Sequence, residues 1–161
     1  MPDVDAERTK RNADLSRRFE AVAPRYGFLI RGVLQEQDDG DRITIPQFRT
    51  MQTLVQLSGD GATNLELARR IAVSPPAMTA MIDGLVERGL VTRTTDPENR
   101  RQVLILLTAT GEERLEAATA AIEHRMSKGI AQLSDAEAKE LERGIAALEK
   151  IFGIVSPEIQ D

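Results

Sequence analysis

Apolar residues recur along this chain at intervals of three and four almost throughout, and strand-like runs occur in only one region. From Leu15 the line Leu15, Phe19, Val22, Tyr26, Leu29, Val33 steps by 4, 3, 4, 3, 4, the heptad-like rhythm of a helix with one apolar seam. Pro24 falls inside that line. A proline removes a backbone donor and clashes with the preceding turn, so a kink is predicted there, or a separate short helix ending near Ala23. Phe48, Met51, Leu54 and Val55 mark a helix from Ile45 to about Leu57. Leu65, Leu67, Ala68 and Ile71 mark a second, and Met78, Ile82 and Leu85 a third. Leu115, Ala118, Ile122, Met126, Ile130 and Leu133 predict a long helix to about Gln132, and Leu141, Ile145, Leu148, Phe152 and Val155 a last one. The exception is Val91 to Thr95 and Gln102 to Leu107, two β-rich runs around Asp96-Pro97-Glu98-Asn99. Proline suits the second position of a type I turn, so these read as a hairpin. A short strand near Ala62 is expected to pair with it.

Polar punctuation sharpens the boundaries. Thr44…Gln47, Thr63…Glu66 and Ser134…Glu137 each have the spacing of a capping box. Ser74 is an N-cap with Pro75 at the first helical position, where the missing N–H costs nothing. Gly89 follows the same helix as its C′ residue, Thr108 caps the long helix, and Leu133-Ser134-Asp135 ends it. Asp38-Asp39-Gly40-Asp41 and Ser58 to Gly61 are read as turns. Val73 plugs the turn between the helices that Ala68 and Ser74 belong to, and Ala68 is small where those helices must cross.

The stretch from Ala68 to Leu107 is therefore a tight helical pair followed by a ribbon. The outer face of the second helix carries short side chains, Ser74, Pro76, Ala77, Thr79 and Ala80, so its backbone can approach base edges and phosphates. Arg100 and Arg101 follow the ribbon's turn and Arg93 lies on its incoming strand. A helix for one groove beside a ribbon with paired arginines suits duplex DNA. The plainer reading is a solvated turn whose arginines pair with Asp96 and Glu98; one arginine braced by Asp96 and the other free satisfies both.

The runs ITIPQFRTM (43–51), LELARRIAVSPPAMTAMIDGLVERGLVTR (65–93) and DPENRRQVLILLTATGEE (96–113) resemble the MarR family of winged helix-turn-helix transcription regulators. The D-P-x-N-R-R…L-T-x-x-G run is the more specific part. The resemblance implies a mainly α fold with a small β-wing, a winged helix-turn-helix over residues 43–107, and a dimerisation region from the N-terminal helix, 11–42, and the C-terminal helices, 108–161, behind a flexible stretch of residues 1–10. It implies that the helix from Ser74 reads the major groove and the ribbon tip enters the minor groove. The expected DNA-binding residues are Asn64, Arg69, Ser74, Pro75, Pro76, Ala77, Thr79, Arg93, Asn99, Arg100 and Arg101. Asn64, Arg69 and Arg93 hold the backbone, and Arg100 or Arg101 enters the minor groove. Ala80 and Gly84 stand where the family pattern often has a long polar residue. A repressor, rather than an activator, is implied by the resemblance alone. So is an effector, a small amphipathic or aromatic anion lodged between dimer helices and reading module, for which Arg25, Tyr26, Phe48 and Met51 are the conceivable pocket residues. Each of those four, taken singly, reads more simply as an ordinary core or surface position.

Two heptad-like seams at opposite ends of the chain, around a middle that already forms a module, favour pairing of two copies. A twofold dimer presents two reading helices about one duplex turn apart, roughly 34 Å, and calls for a palindromic site.

Composition narrows the alternatives. The 161 residues are 41% hydrophobic but only 3% aromatic, so the core is aliphatic. Net charge is −5, yet residues 59–107 hold six arginines and six acids, which leaves the whole excess outside the proposed DNA module. Sequence-independent affinity is then modest and steeply salt-dependent. No cysteine is present, which excludes disulfides, thiol sensing and thiolate metal sites, and the lone His124 lies in a charged helix without a nucleophilic partner. No glycine loop cradles a phosphate, so neither catalysis nor a cofactor is expected. No apolar run approaches a membrane span, and the start MPDVDAERTKRNADL has no signal-peptide core, which points to the cytoplasm. The rival from another class is a dimeric winged-helix adaptor that binds proteins without DNA; Ala80, Gly84 and the acidic total speak for it.

Overall fold

The computed structural model describes residues 3–36, 42–57 and 61–153. In chain order the elements are α1 (Asp3–Glu36), α2 (Ile45–Gln56), β1 (Ala62–Thr63), α3 (Asn64–Ile71), α4 (Pro75–Glu87), β2 (Val91–Thr95), β3 (Val103–Leu107), α5 (Ala109–Ile130) and α6 (Asp135–Phe152). They fall into two units, Met1–Ile122 and Glu123–Asp161. The sheet is antiparallel in the order β1-β3-β2, with Ala62 opposite Ile105 and Arg93 opposite Ile105 on the other side. No helix among the described residues is long and apolar enough to cross a membrane.

The core of the first unit lies under the helix-turn-helix. Ile30, Val33 and Leu34 of α1 meet Phe48, Met51 and Leu54 of α2, Leu67 and Ala68 of α3, and Met78, Ile82 and Leu85 of α4. Leu90, Val91 and Ile105 join from the sheet, with Leu115, Ala118 and Ile122 from α5. Burying each large aliphatic side chain contributes about 1.5–3 kcal/mol relative to leaving it in water. Thr50, the buried polar residue, donates to Pro46 O at 2.9 Å, which satisfies its hydroxyl inside α2.

Local signals set the boundaries. Thr44 and Gln47 form a full capping box, and so do Ser134 and Glu137. At Thr63 only half the box forms: its hydroxyl accepts from Glu66 N at 3.2 Å, but the Glu66 carboxylate turns to Arg70 at 3.0 Å. A charged partner one turn along outcompetes a backbone amide. Gly89 has φ +66° after the Arg88 cap, and Leu90 N closes back on Leu85 O at 3.0 Å. Thr108 Oγ1 accepts from Gly111 N at 3.0 Å and starts α5.

Several expectations are corrected. α1 is helical from Asp3 to Glu36 with Pro24 inside it, so no separate short helix ends near Ala23. The bond that Pro24 cannot donate falls on an exposed stretch of the helix, where solvent can take its place, and Asp5 and Glu7 favour the helix's positive end. Val55 and Leu65 were expected inside but are 54% and 49% exposed; both sit at the edge of their apolar stripes. The second strand begins at Val103, one residue later than predicted. The loop at Asp38 to Asp41, most of the Ser58 to Gly61 turn and Val155 lie outside the described residues.

Of the acids in α6, Glu137 is set apart by its cap. The Ser134 hydroxyl donates to its carboxylate at 2.7 Å and the Ser134 amide at 2.9 Å, and these bonds hold its pKa below the usual glutamate value. The cap's contribution to stability is therefore present above the ordinary glutamate range and lost as pH falls through the lowered value. In an NMR titration Glu137 is expected to titrate below the ordinary glutamate value, and Ser134→Ala to move it up toward that value. An ordinary glutamate midpoint in the parent protein would show that the box is open in solution.

Candidate nucleic-acid interface

The turn between α3 and α4 is built without glycine. Ala72 takes the left-handed conformation, φ 59°, and Val73 N reaches Ala68 O at 3.0 Å. That conformation costs an alanine about 1–2 kcal/mol, borne here because Val73 packs on the core. The chain then enters α4 through Ser74, whose hydroxyl accepts from Ala77 N at 3.4 Å, with Pro75 and Pro76 in the first turn. Met78, Ile82 and Leu85 face inward, while Ser74, Pro75, Pro76, Ala77, Thr79 and Ala80 are exposed. A helix face without long side chains is thus open to solvent.

Two polar residues expected at DNA are engaged within the protein. Asn64 Nδ2 donates to Thr79 Oγ1 at 2.8 Å and to Pro75 O at 3.4 Å. The Thr79 hydroxyl donates in turn to Pro75 O at 3.0 Å. Asn64 Oδ1 is buried without a partner. Asn64 therefore braces α3 against the start of α4, and its amide is not turned outward to a phosphate.

The ribbon tip also differs from expectation. The i to i+3 bond forms one turn later than predicted, from Gln102 N to Asn99 O at 2.8 Å, which puts Arg100 and Arg101 at the two central positions. Asp96 is the reason: its carboxylate accepts from Glu98 N at 2.8 Å and its amide donates to Gln102 O at 3.1 Å. So Asp96 organises the loop and does not brace an arginine. Asn99 Oδ1 accepts from Arg101 N at 3.2 Å, which fixes Asn99 inside the turn. Arg100 and Arg101 are exposed and make no ion pair among the described residues.

The cations on the helices divide. Arg70 is taken by Glu66, while the neighbouring Arg69 is exposed and makes no ion pair among the described residues. Arg93 of β2 is not free: it pairs with Asp83 of α4. Sequence reading did not single out Asp83, because its partner lies ten positions away on another element. Gln47 was read only as a cap; its side chain also accepts from Arg88 at 3.4 Å and ties α2 to the end of α4.

The four residues considered for an effector lie in different settings. Phe48 and Met51 are core, 3% and 0% exposed, while Tyr26 is half exposed and Arg25 exposed on α1. Phenylalanine and methionine at helical spacing pack the interior first. A cavity of about 280 Å³ lies elsewhere, lined by Arg31, Leu34 and Gln35 of α1 and by Arg42, Ile43, Thr44, Ile45 and Pro46. No group of acidic, histidine or cysteine side chains among the described residues could hold a metal.

Residues 43–103, the segment from just before α2 to the start of β3, match the model of the MarR family. An HTH-type transcriptional regulator of Mycobacterium bovis is 35% identical over 88 residues, 54% of this chain and 62% of that protein. The chain thus covers less than two thirds of that relative. The HTH-type transcriptional repressor Rv2887 of Mycobacterium tuberculosis is 29% identical over 106 residues, 66% of this chain and 75% of the repressor. The crystal structure of RV1404 from the same organism superposes with a TM-score of 0.78 at 25% identity, over 92% of this chain and 97% of that one. Family pattern, relatives and winged-helix architecture agree: over residues 43–103 the chain is similar to the MarR family of regulators.

Proposed function

We propose that the protein is a sequence-specific DNA-binding transcriptional regulator, a repressor, that acts as a homodimer on a palindromic operator. The observation that carries this is the ribbon tip. Arg100 and Arg101 occupy the centre of a turn whose acids are otherwise engaged or unpaired, beside a helix face of short exposed side chains. In this reading α4 enters the major groove through Pro76, Ala77 and Thr79, the tip enters the minor groove, and Arg69 meets the backbone. Proteins named as HTH-type regulators and repressors among its relatives support the same reading.

Uncovered seams support the dimer. In the single chain Leu15, Val22 and Tyr26 of α1 are 51–66% exposed, and α6 buries none of its residues although Leu141, Ile145 and Ile151 line it. Apolar surface this extensive marks an association face. Residues 11–42 and 108–161 then form the dimerisation region and 43–107 the DNA-binding module. The cavity by Arg31 and Arg42, with its floor of Leu34, Ile43 and Ile45, has the chemistry for a small amphipathic anion as effector.

The test is selection from a random duplex pool followed by sequencing, with sedimentation analysis of the same sample. A palindrome with half-sites about one helical turn apart, retained by a dimer, is expected. Under the adaptor reading, favoured by the acids Asp83 and Glu87 on the outer stripe of α4, no sequence is enriched. A monomer at binding concentrations removes the palindromic mechanism.

A further inference from the structure

The proposed reading helix carries charges of the wrong sign. α4, PPAMTAMIDGLVE, holds no basic residue and two acids, Asp83 and Glu87. Pro76, Ala80, Asp83 and Glu87 are spaced by 4, 3 and 4 and are all exposed, so both acids extend the stripe that begins at the helix's open end. A bare carboxylate there repels a phosphate backbone. Asp83 is not bare: Arg93, on the strand that leads into the ribbon, pairs with it, their side chains 51% and 39% exposed. It is the ion pair between reading helix and ribbon among the described residues. It pairs the cation on β2 with a carboxylate and sets the pair's net charge to zero.

We propose that Asp83 attenuates DNA binding by sequestering Arg93, so that the Asp83–Arg93 pair sets how strongly the module grips duplex of arbitrary sequence. This rests on the DNA-binding reading and adds a residue to it. An exposed ion pair is worth at most about 1 kcal/mol, so the hold on Arg93 is partial. Removing the carboxylate frees one cation for a phosphate, and removing the arginine leaves one anion facing the duplex. A pair that only held the ribbon in place would weaken binding when either member is lost. Attenuation makes the two substitutions act in opposite directions.

The experiment uses the full chain and a fluorescein-labelled random-sequence duplex, titrated by anisotropy across a salt series. Asp83→Asn is expected to bind about 3- to 10-fold tighter at low salt, with the slope of log K against log salt steeper by about 0.9, the signature of one further phosphate contact. Arg93→Ala is expected to bind more weakly than the parent, and Asp83→Asn with Arg93→Ala to return near it. Thermal melting of each variant checks that it is folded. Loss of affinity in both single variants, or an unchanged slope in Asp83→Asn, overturns the proposal while the DNA reading stands. A parent protein that binds no duplex at low salt overturns both.

Discussion

Gly111→Ala is expected to destabilise the protein by about 3 kcal/mol and to lower its thermal midpoint by roughly 6–12 °C. Gly111 lies in the first turn of α5, where the chain runs back against the end of α4. A Cβ built there stands 2.0 Å from Leu90 O, 3.0 Å from Leu90 C and 3.1 Å from Leu107 Cδ2. The obstacle is backbone, so no side-chain rotation relieves it. Nor can that backbone move alone. Leu90 O accepts from Thr108 N at 3.1 Å, and the Thr108 hydroxyl donates to Gly89 O at 2.6 Å while it accepts from Gly111 N. These bonds join the end of the proposed reading helix to the start of α5, and they account physically for the L-T-x-x-G run. Gly144→Ala is the control: nothing lies within 4 Å of its added Cβ in the interior of α6. There the better helix former adds up to about 1 kcal/mol. Thermal unfolding followed by circular dichroism checks both. A Gly111→Ala midpoint within a degree of the parent would mean that α4 and α5 do not meet as described.

What was legible in the sequence follows how local its cause is. Capping boxes at Thr44 and Ser134, the proline entry to α4 and Gly89 after it rest on interactions within four residues, and each appears where its spacing puts it. The inward stripes of α2, α3 and α4 were readable at their centres and failed at their edges, where Val55 and Leu65 are helical-phase neighbours of buried positions yet point to water. Periodicity fixes a direction to within a residue's arc, and the neighbouring element decides which side of it is covered. The half-formed box at Thr63 fails for a different reason: Glu66 has two possible partners, and its pattern alone does not rank them. At the candidate site, the arginines at the tip were legible because their neighbours in sequence are their neighbours in space. The Asn64–Thr79 brace and the Asp83–Arg93 pair were not, since each joins residues on different elements at no characteristic spacing. Of the residues considered for an effector, Phe48 and Met51 lie in the core, and chemistry alone does not separate a pocket wall from a filled interior.

Arg100→Ala with Arg101→Ala is expected to weaken binding to a selected operator by about 10- to 100-fold at moderate salt and to flatten the slope of log K against log salt by about 1.8, two phosphate-range cations at about 0.9 each. The size follows from their setting. Both side chains project from the centre of a four-residue turn, and neither is held by an acid among the described residues. Of the two carboxylates that precede them, Asp96 spends an oxygen on the Glu98 amide and Glu98 makes no ion pair among the described residues. Neither charge is therefore already discharged before DNA arrives. The turn itself is held by backbone and by Asp96 and Asn99, with no contribution from the guanidinium groups, so the double substitution should leave the fold and its melting midpoint in place. Arg70→Ala is the counterpart. Its guanidinium is already satisfied by Glu66 one turn away, so its loss is expected to change affinity less than threefold, in line with the small worth of an exposed pair. An anisotropy titration of the operator from low to high salt separates the cases. If the double variant keeps the parent's slope, the ribbon tip takes no part in neutralising the duplex, and the helix face of α4 must act alone. With no basic residue on that helix, such a module would be left with Arg69 and the partly held Arg93 to meet the backbone, and the DNA reading would lose most of its electrostatic basis.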